Sequence, residues 1–123
     1  MSKEEKILVT GGGGFLGYHI CQLLKKKNYS VMSFSRNKYE KLEELGVKQV
    51  QGDITHLPDL LDAVKGTSAV IHTASKAGFW GPMASFYKTN VIGTDNVLKA
   101  MQESRVQTLI YTSTPSVVME SQD

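Results

Sequence analysis

The stretch VTGGGGFLGYHI, Val9 to Ile20, decides the fold. It places four consecutive glycines, Gly11 to Gly14, between a short apolar run and a helix-like one. Glycine loses more backbone entropy on folding than any other residue and packs nothing, so such a run is expected where the main chain turns sharply or approaches something closely. Upstream, KILVT (Lys6 to Thr10) is a β-rich run ended by glycine. Downstream, Leu16, Ile20, Leu23 and Leu24 repeat at helical spacing and are read as the core stripe of the first helix. The order is strand, glycine turn, helix.

The same alternation continues along the chain. SVMSF (Ser30 to Phe34) is a second strand, and YEKLEEL (Tyr39 to Leu45) a weak helix with Gly46 as its stop. VKQVQ (Val47 to Gln51) is a third strand, followed by a short helix at Leu57 to Val64, after Pro58, and a stop at Gly66. SAVIH (Ser68 to His72) and TLIYT (Thr108 to Thr112) are strands four and five. Between them runs a long helix in which Val91, Thr94, Leu98 and Met101 share one face. Strands this apolar need cover on both sides, which predicts an α/β fold. With right-handed crossovers it is a Rossmann-type, doubly wound parallel sheet of order 3-2-1-4-5.

Composition narrows the function class. With 41% hydrophobic and 21% charged residues, the 123-residue chain reads as one globular domain, or part of one. A net charge of +2, with basic residues dispersed apart from Lys25 to Lys27, argues against nucleic acid and membrane partners. Those lysines read as the solvated last turn of a helix. Cys21 is the sole cysteine, which excludes an internal disulfide, and its place in an apolar helix marks a buried structural thiol. No apolar run approaches the roughly 18 residues that span a bilayer, and the polar start is unlike a secretory signal, so the expected location is cytoplasmic.

In a doubly wound sheet the first turn lies at the carboxyl edge, where the free amides of the next helix favour an anion. Gly12, Gly14 and Gly17 satisfy G-x-G-x-x-G, while Gly11, Gly14 and Gly17 satisfy G-x-x-G-x-x-G. Either frame allows the tight turn, lets the chain touch a pyrophosphate at Gly14, and lets the helix lie close on the strand at Gly17. No Lys-Ser or Lys-Thr pair follows the last glycine, which sets aside a nucleoside-triphosphate loop. The expected ligand is a dinucleotide. Near the end of strand two, where an acid would hold the ribose 2′-hydroxyl of NAD, the chain has FSRN (Phe34 to Asn37). Arg36 offers a charge-assisted fork to a 2′-phosphate, so NADP is favoured with NAD still open. The duller reading of Arg36 is a surface arginine at a strand end.

These residues also carry a family likeness. VTGGGGFLG resembles the opening motif of the extended short-chain dehydrogenase/reductases, the epimerase and dehydratase superfamily. The likeness implies cofactor contacts at Gly11, Gly14, Phe15, Leu16 and Gly17. GDIT (Gly52 to Thr55) is similar to the strand-three motif, implying that Asp53 bonds the adenine amino group and Ile54 lines its pocket. HTAS (His72 to Ser75) resembles the segment passing beside the cofactor, implying contacts at Thr73, Ala74 and Ser75. NVIGT (Asn90 to Thr94) matches Asn-Val-x-Gly-Thr at the long helix. YTSTPSVV (Tyr111 to Val118) resembles the strand-five segment, implying cofactor contacts at Thr112 and Ser113 and a catalytic hydroxyl at Thr114. SFSR, HTASKAGFWGP and YTSTPSVV together look like the 3β-hydroxysteroid dehydrogenase-like branch, including reductases of long-chain β-keto acids.

The family's proton-transfer centre is a Tyr-x-x-x-Lys pair. None of Tyr18, Tyr29, Tyr39, Tyr87 or Tyr111 has a lysine four residues on. The resemblance therefore implies an amino-terminal part, 1–123, of a longer protein, with a later substrate domain beyond it. In the intact enzyme it implies hydride transfer between NADP(H) and a hydroxyl or carbonyl substrate, with Thr114 bonding the substrate oxygen. This chain alone is expected to be inactive. A nucleotide-sugar epimerase or dehydratase, and a module that senses NADP without redox chemistry, stand as alternatives.

Several residues have bland readings as well. His19, His56 and His72 lack metal-ligand spacing, and His72 reads as a satisfied half-buried imidazole; no metal site is expected. Asp53 is also a natural turn initiator after glycine. Asn90 either braces backbone or touches cofactor. Phe79 and Trp80 either wall the nicotinamide or fill a gap.

Overall fold

The structure, a computed structural model, describes residues 5–73 and 83–112, with side chains described for 5–73 and 91–112. Five strands, β1 (Lys6–Thr10), β2 (Ser30–Ser35), β3 (Lys48–Gln51), β4 (Ala69–Thr73) and β5 (Thr108–Thr112), alternate with four helices. These are α1 (Phe15–Lys26), α2 (Glu40–Leu45), α3 (Leu57–Val64) and α4 (Met83–Ser104). All strand pairs are parallel, in the order β3-β2-β1-β4-β5. This is the predicted doubly wound, Rossmann-type sheet.

The central strands are buried on both faces because their alternate side chains feed two separate cores. Leu8, Phe34 and Val70 point to one side, where Leu60, Val64, Val97, Ala100 and Met101 of α3 and α4 close over them. Ile7, Val9, Val31, Ala69 and Ile71 point to the other, under Cys21 of α1 and Leu42 of α2. Parallel strands with helices on both faces show this continuous apolar character rather than alternation with polar residues. Gly46 ends α2 at φ 83, a left-handed conformation that suits glycine.

Three expectations about faces are corrected. On α1 the buried residues are Gly17 and Cys21, while Leu23 is 55% exposed, so the stripe Leu16, Ile20, Leu23 and Leu24 is not the core face as a whole. On α4, Val91 and Leu98 are 54% and 48% exposed; the sheet side is formed by Gly93, Val97 and Ala100, with Met101 beside them. In both helices the winning face carries a glycine: Gly17 seats α1 on Gly11 and Gly12, and Gly93 seats α4 on the Ile54 side chain. Finally, β5 is not covered on both sides: Leu109 packs on the α3/α4 core, whereas Ile110 and Tyr111 are exposed.

Candidate functional site

Parallel register brings the carboxyl ends of the strands to one edge. Thr10 stands beside Phe34 on one side and His72 on the other, with Thr73 beside Thr112. Gly11, Arg36, Asp53, Thr73 and Thr112 therefore end or follow their strands along this edge. β1 lies between β2 and β4, the point where the strand order reverses, which is where open α/β sheets bind ligands.

The turn from β1 to α1 divides its glycines by what each one serves. Gly11 has φ 76, and a Cβ there would lie 2.5 Å from Thr73 Oγ1. A Cβ on Gly17 would run into the Gly11 carbonyl and the Gly12 Cα, so this residue lets α1 seat on the turn. Cβ atoms on Gly12 and Gly13 would meet the Ser33 hydroxyl and the Tyr39 ring. Gly14 is different. It is exposed, its φ of −78 suits any residue, and a Cβ would make only one ordinary contact, 3.5 Å from Gly11 O. Nothing among the described residues requires glycine there.

Gly14 is also the N-cap of α1, which has no side-chain cap and no acid in its first turn. The turn closes on itself through Gly14 N–H to Gly11 O at 3.0 Å and Tyr18 N–H to Gly14 O at 2.8 Å. The leading amides of a twelve-residue helix, with its partial positive charge, are left facing the carboxyl edge. Phe15 stands 81% exposed beside them, packed edge-on against His19 with centroids 4.6 Å apart, and Leu16 is half-buried.

The neighbouring strand ends add polar groups. Arg36 is exposed after β2, with its carbonyl accepting from Gln51 Nε2 at 3.2 Å. Asp53 Oδ1 accepts from the Thr55 amide (2.9 Å) and hydroxyl (2.8 Å), forming the turn that its bland reading predicts. Those two bonds, more than the nearby Arg36 charge, hold its carboxyl below the usual range. Ile54 aims its Cδ1 at Gly93 of α4, and its carbonyl accepts from Asn96 Nδ2 at 2.9 Å. Thr112 Oγ1 is buried without a partner.

Beneath the turn lies a buried polar chain. Thr10 Oγ1 is 2.7 Å from His72 Nδ1 and accepts from the Thr73 amide at 3.1 Å. Thr73 Oγ1 donates to Thr10 O at 2.7 Å, and His72 Nε2 is 3.1 Å from Thr94 Oγ1 on α4. The imidazole is fully buried rather than half-buried, and desolvation lowers its pKa to about 4. Its satisfied state agrees with the sequence reading. Cys21 is likewise buried, its thiol pushed up to about 11, which suits a structural residue.

Sequence reasoning missed the partners Thr10, Thr94, Tyr39 and Gln49. The Tyr39 amide donates to Gln49 Oε1 at 2.8 Å, and Gln49 Nε2 donates back to Tyr39 O at 3.0 Å. No local pattern signals these pairings, which join a strand to another strand or to a helix. Ala74, Ser75, Phe79, Trp80, Ser113 and Thr114 lie outside the described residues, as does the side chain of Asn90. Among the described residues no group of His, Cys, Asp and Glu is placed to hold a metal, and no helix is long and apolar enough to cross a membrane.

The description of the 3-beta hydroxysteroid dehydrogenase/isomerase family matches residues 8–123. This chain belongs to that family. Its relatives there include a protein of Stenotrophomonas maltophilia (strain K279a) named 2-alkyl-3-oxoalkanoate reductase, 48% identical over 91% of this chain and 34% of that one. A mouse protein named sterol-4-alpha-carboxylate 3-dehydrogenase, decarboxylating, is 38% identical over 100% of this chain and 33% of its own length. The chain thus spans about a third of these family members. Among solved structures, a UDP-glucose-4-epimerase from Stenotrophomonas maltophila with bound NAD and formylated UDP-arabinopyranose superposes with a TM-score of 0.81. It is 26% identical, over 93% of this chain and 38% of that one.

Proposed function

We propose that this chain is the dinucleotide-binding part of an NADP(H)-dependent oxidoreductase acting on a hydroxyl or carbonyl substrate of the sterol or β-keto acid type. One observation carries the reading: Gly14 has space for a side chain, a backbone any residue can adopt, and an uncapped helix N-terminus behind it. A glycine whose side-chain space none of the described residues fills leaves room there for a ligand. A diphosphate suits the place, since it takes the free amides and the helix dipole and needs the main chain at contact distance.

The other residues fit the same ligand. Arg36 sits where a ribose 2′-phosphate would be met, which favours NADP over NAD. Asp53, with Oδ1 held in its turn, presents its second carboxylate oxygen to an adenine amino group, and Ile54 walls that side. Thr73 and Thr112, with Ala74, Ser75 and Ser113, flank the path toward the nicotinamide, and Asn90 braces or meets it. Thr114 is assigned to hydrogen-bond the substrate oxygen as charge develops there. The bound dinucleotide supplies or accepts the hydride. Without a Tyr-x-x-x-Lys pair, residues 1–123 bind the dinucleotide but do not turn substrate over.

The epimerase reading draws on the structural likeness at 26% identity, whereas the reductase and dehydrogenase relatives stand at 48% and 38%. The latter support the oxidoreductase. Gly14→Ala tests the proposal. Stability is expected to fall by no more than about 1 kcal/mol, the loss of a glycine N-cap, while NADPH affinity falls about tenfold or more, a loss of about 1.4 kcal/mol. Unchanged NADPH affinity in a stable Gly14→Ala protein would remove the reading.

A further inference from the structure

We infer that His72 is a positioning residue for the dinucleotide turn: as its Nε2–H tautomer it orients the Thr10 hydroxyl and, through Thr10 and Thr73, holds Gly11 in place. The inference rests on the dinucleotide reading of that turn. It begins from hydrogen-bond accounting. The Thr73 amide can only donate, so Thr10 Oγ1 accepts from it at 3.1 Å. The Thr10 hydroxyl then has one proton to place, in a residue 2% exposed, and His72 Nδ1 stands 2.7 Å away.

If Nδ1 carried a proton, Thr10 Oγ1 would accept twice and its own proton would be buried without an acceptor among the described residues, which costs about 1–3 kcal/mol. With Nδ1 bare, the hydroxyl donates to it and Thr10, Thr73 and Nδ1 are all paired. The ring proton is then on Nε2, donated to Thr94 Oγ1 at 3.1 Å. A tautomer is normally fixed by what the other nitrogen bonds; here the Nδ1 side decides it, and the Thr94 hydroxyl, able to donate or accept, follows. The Tyr111 ring, 5.5 Å away between centroids and tilted 35°, packs against the imidazole.

The consequence reaches the turn through Thr73. With its amide on Thr10 Oγ1 and its hydroxyl on Thr10 O, Thr73 clamps β4 to the last residue of β1. Its Oγ1 fills the space where Gly11 would carry a side chain. Gly11 in turn offers the carbonyl that closes on Gly14 N–H and against which Gly17 seats. A line of contacts thus runs from Thr94 on α4 through His72, Thr10 and Thr73 to the head of the glycine turn. The acceptor at Nδ1 matters for the turn; the donor at Nε2 serves the α4 side.

That asymmetry is testable, because a side chain that merely fills the core has none. Long-range 15N–1H correlation spectra of the protein are expected to show Nδ1 unprotonated and Nε2 protonated; a proton on Nδ1 overturns the inference. His72→Asn keeps an acceptor near the Nδ1 position and gives up the link to α4, whereas His72→Gln reaches Thr94 and gives up the acceptor. NADPH affinity is expected within about threefold of wild type for His72→Asn and reduced about tenfold for His72→Gln, with the Gly11 amide resonance displaced only in the latter. Equal losses that follow stability overturn the inference. If neither variant folds, Thr10→Ser should bind like wild type and Thr10→Val about tenfold more weakly, and equal affinities overturn it. A wild-type protein that binds neither NADPH nor NADH refutes the dinucleotide reading itself. The tautomer and the Gly11 resonance are read without ligand and judge His72 separately.

Discussion

Gly13 lies under the ring of Tyr39, so that a Cβ on the glycine would fall among the ring's own carbons. Tyr39 has little freedom to yield, because its ring packs on the core around Cys21 and Leu42 and its amide and carbonyl are both held by the Gln49 side chain. The N-cap of α2 is thereby fixed over the glycine turn by a residue of β3. Gly13→Ala is expected to destabilise the protein by about 1–3 kcal/mol, the usual cost of overpacking. In a Tyr39→Ala background the same change should cost less than about 0.5 kcal/mol, and a urea-denaturation double-mutant cycle measures the difference.

Gly17 meets backbone rather than a side chain, so no rotamer can relieve its substitution. Alanine in place of glycine gains about 1 kcal/mol of helix propensity, yet α1 must lift from Gly11 O and Gly12 Cα to accept it. Gly17→Ala is expected to lower stability by about 2 kcal/mol or more despite that gain. Thermal unfolding, compared with that of Gly14→Ala, checks it: a Tm for Gly17→Ala at or above that of Gly14→Ala contradicts the assignment.

Arg36 is the position where NADP and NAD part company. Arg36→Ala is expected to weaken NADPH binding by about 1.5–3 kcal/mol and to leave NADH binding nearly unchanged. Paired titrations followed by nicotinamide fluorescence read both constants. Equal weakening of the two ligands assigns Arg36 to the strand-end surface and takes the 2′-phosphate away from it.

His72 makes stability fall in mild acid. Its pKa is lowered from 6.5 to about 4 by burial, so the unfolded chain binds a proton in that interval and the folded one does not. Stability attached to this group is complete above 6.5, declines as the pH falls toward 4, and then levels off, a total of about 3 kcal/mol. Asp53, whose pKa is also lowered, acts in the same sense, but only below the ordinary carboxylate range. Urea midpoints at several pH values should show a flatter profile in His72→Asn; an unaltered slope would detach the effect from His72.

Ser33 is buried in β2 with no partner for its hydroxyl, which lies against Gly12. Removing an unsatisfied buried hydroxyl costs little and relieves a desolvation penalty. Ser33→Ala is expected to match wild type or exceed it by up to about 1 kcal/mol, as measured by chemical denaturation. A loss greater than 1 kcal/mol would show that the hydroxyl has work in the fold.

Read along the chain alone, the residues were enough for the alternation of strands and helices, the order 3-2-1-4-5, the glycine turn at the head of α1 and the family likeness. These follow from local quantities: period, turn residues and the chirality of crossovers. The same reading also placed Cys21 and His72 correctly as structural groups. Which stripe of a helix faces inward was settled by packing in three dimensions. Apolar residues at positions 91 and 98 satisfy helical spacing as well as Val97 does, and packing against Ile54 and the core shared with α3 selected Gly93, Val97 and Ala100. The same holds for what each glycine serves and for the Thr94–His72–Thr10–Thr73 chain. Those depend on contacts between residues up to 63 positions apart, which no window along the chain contains.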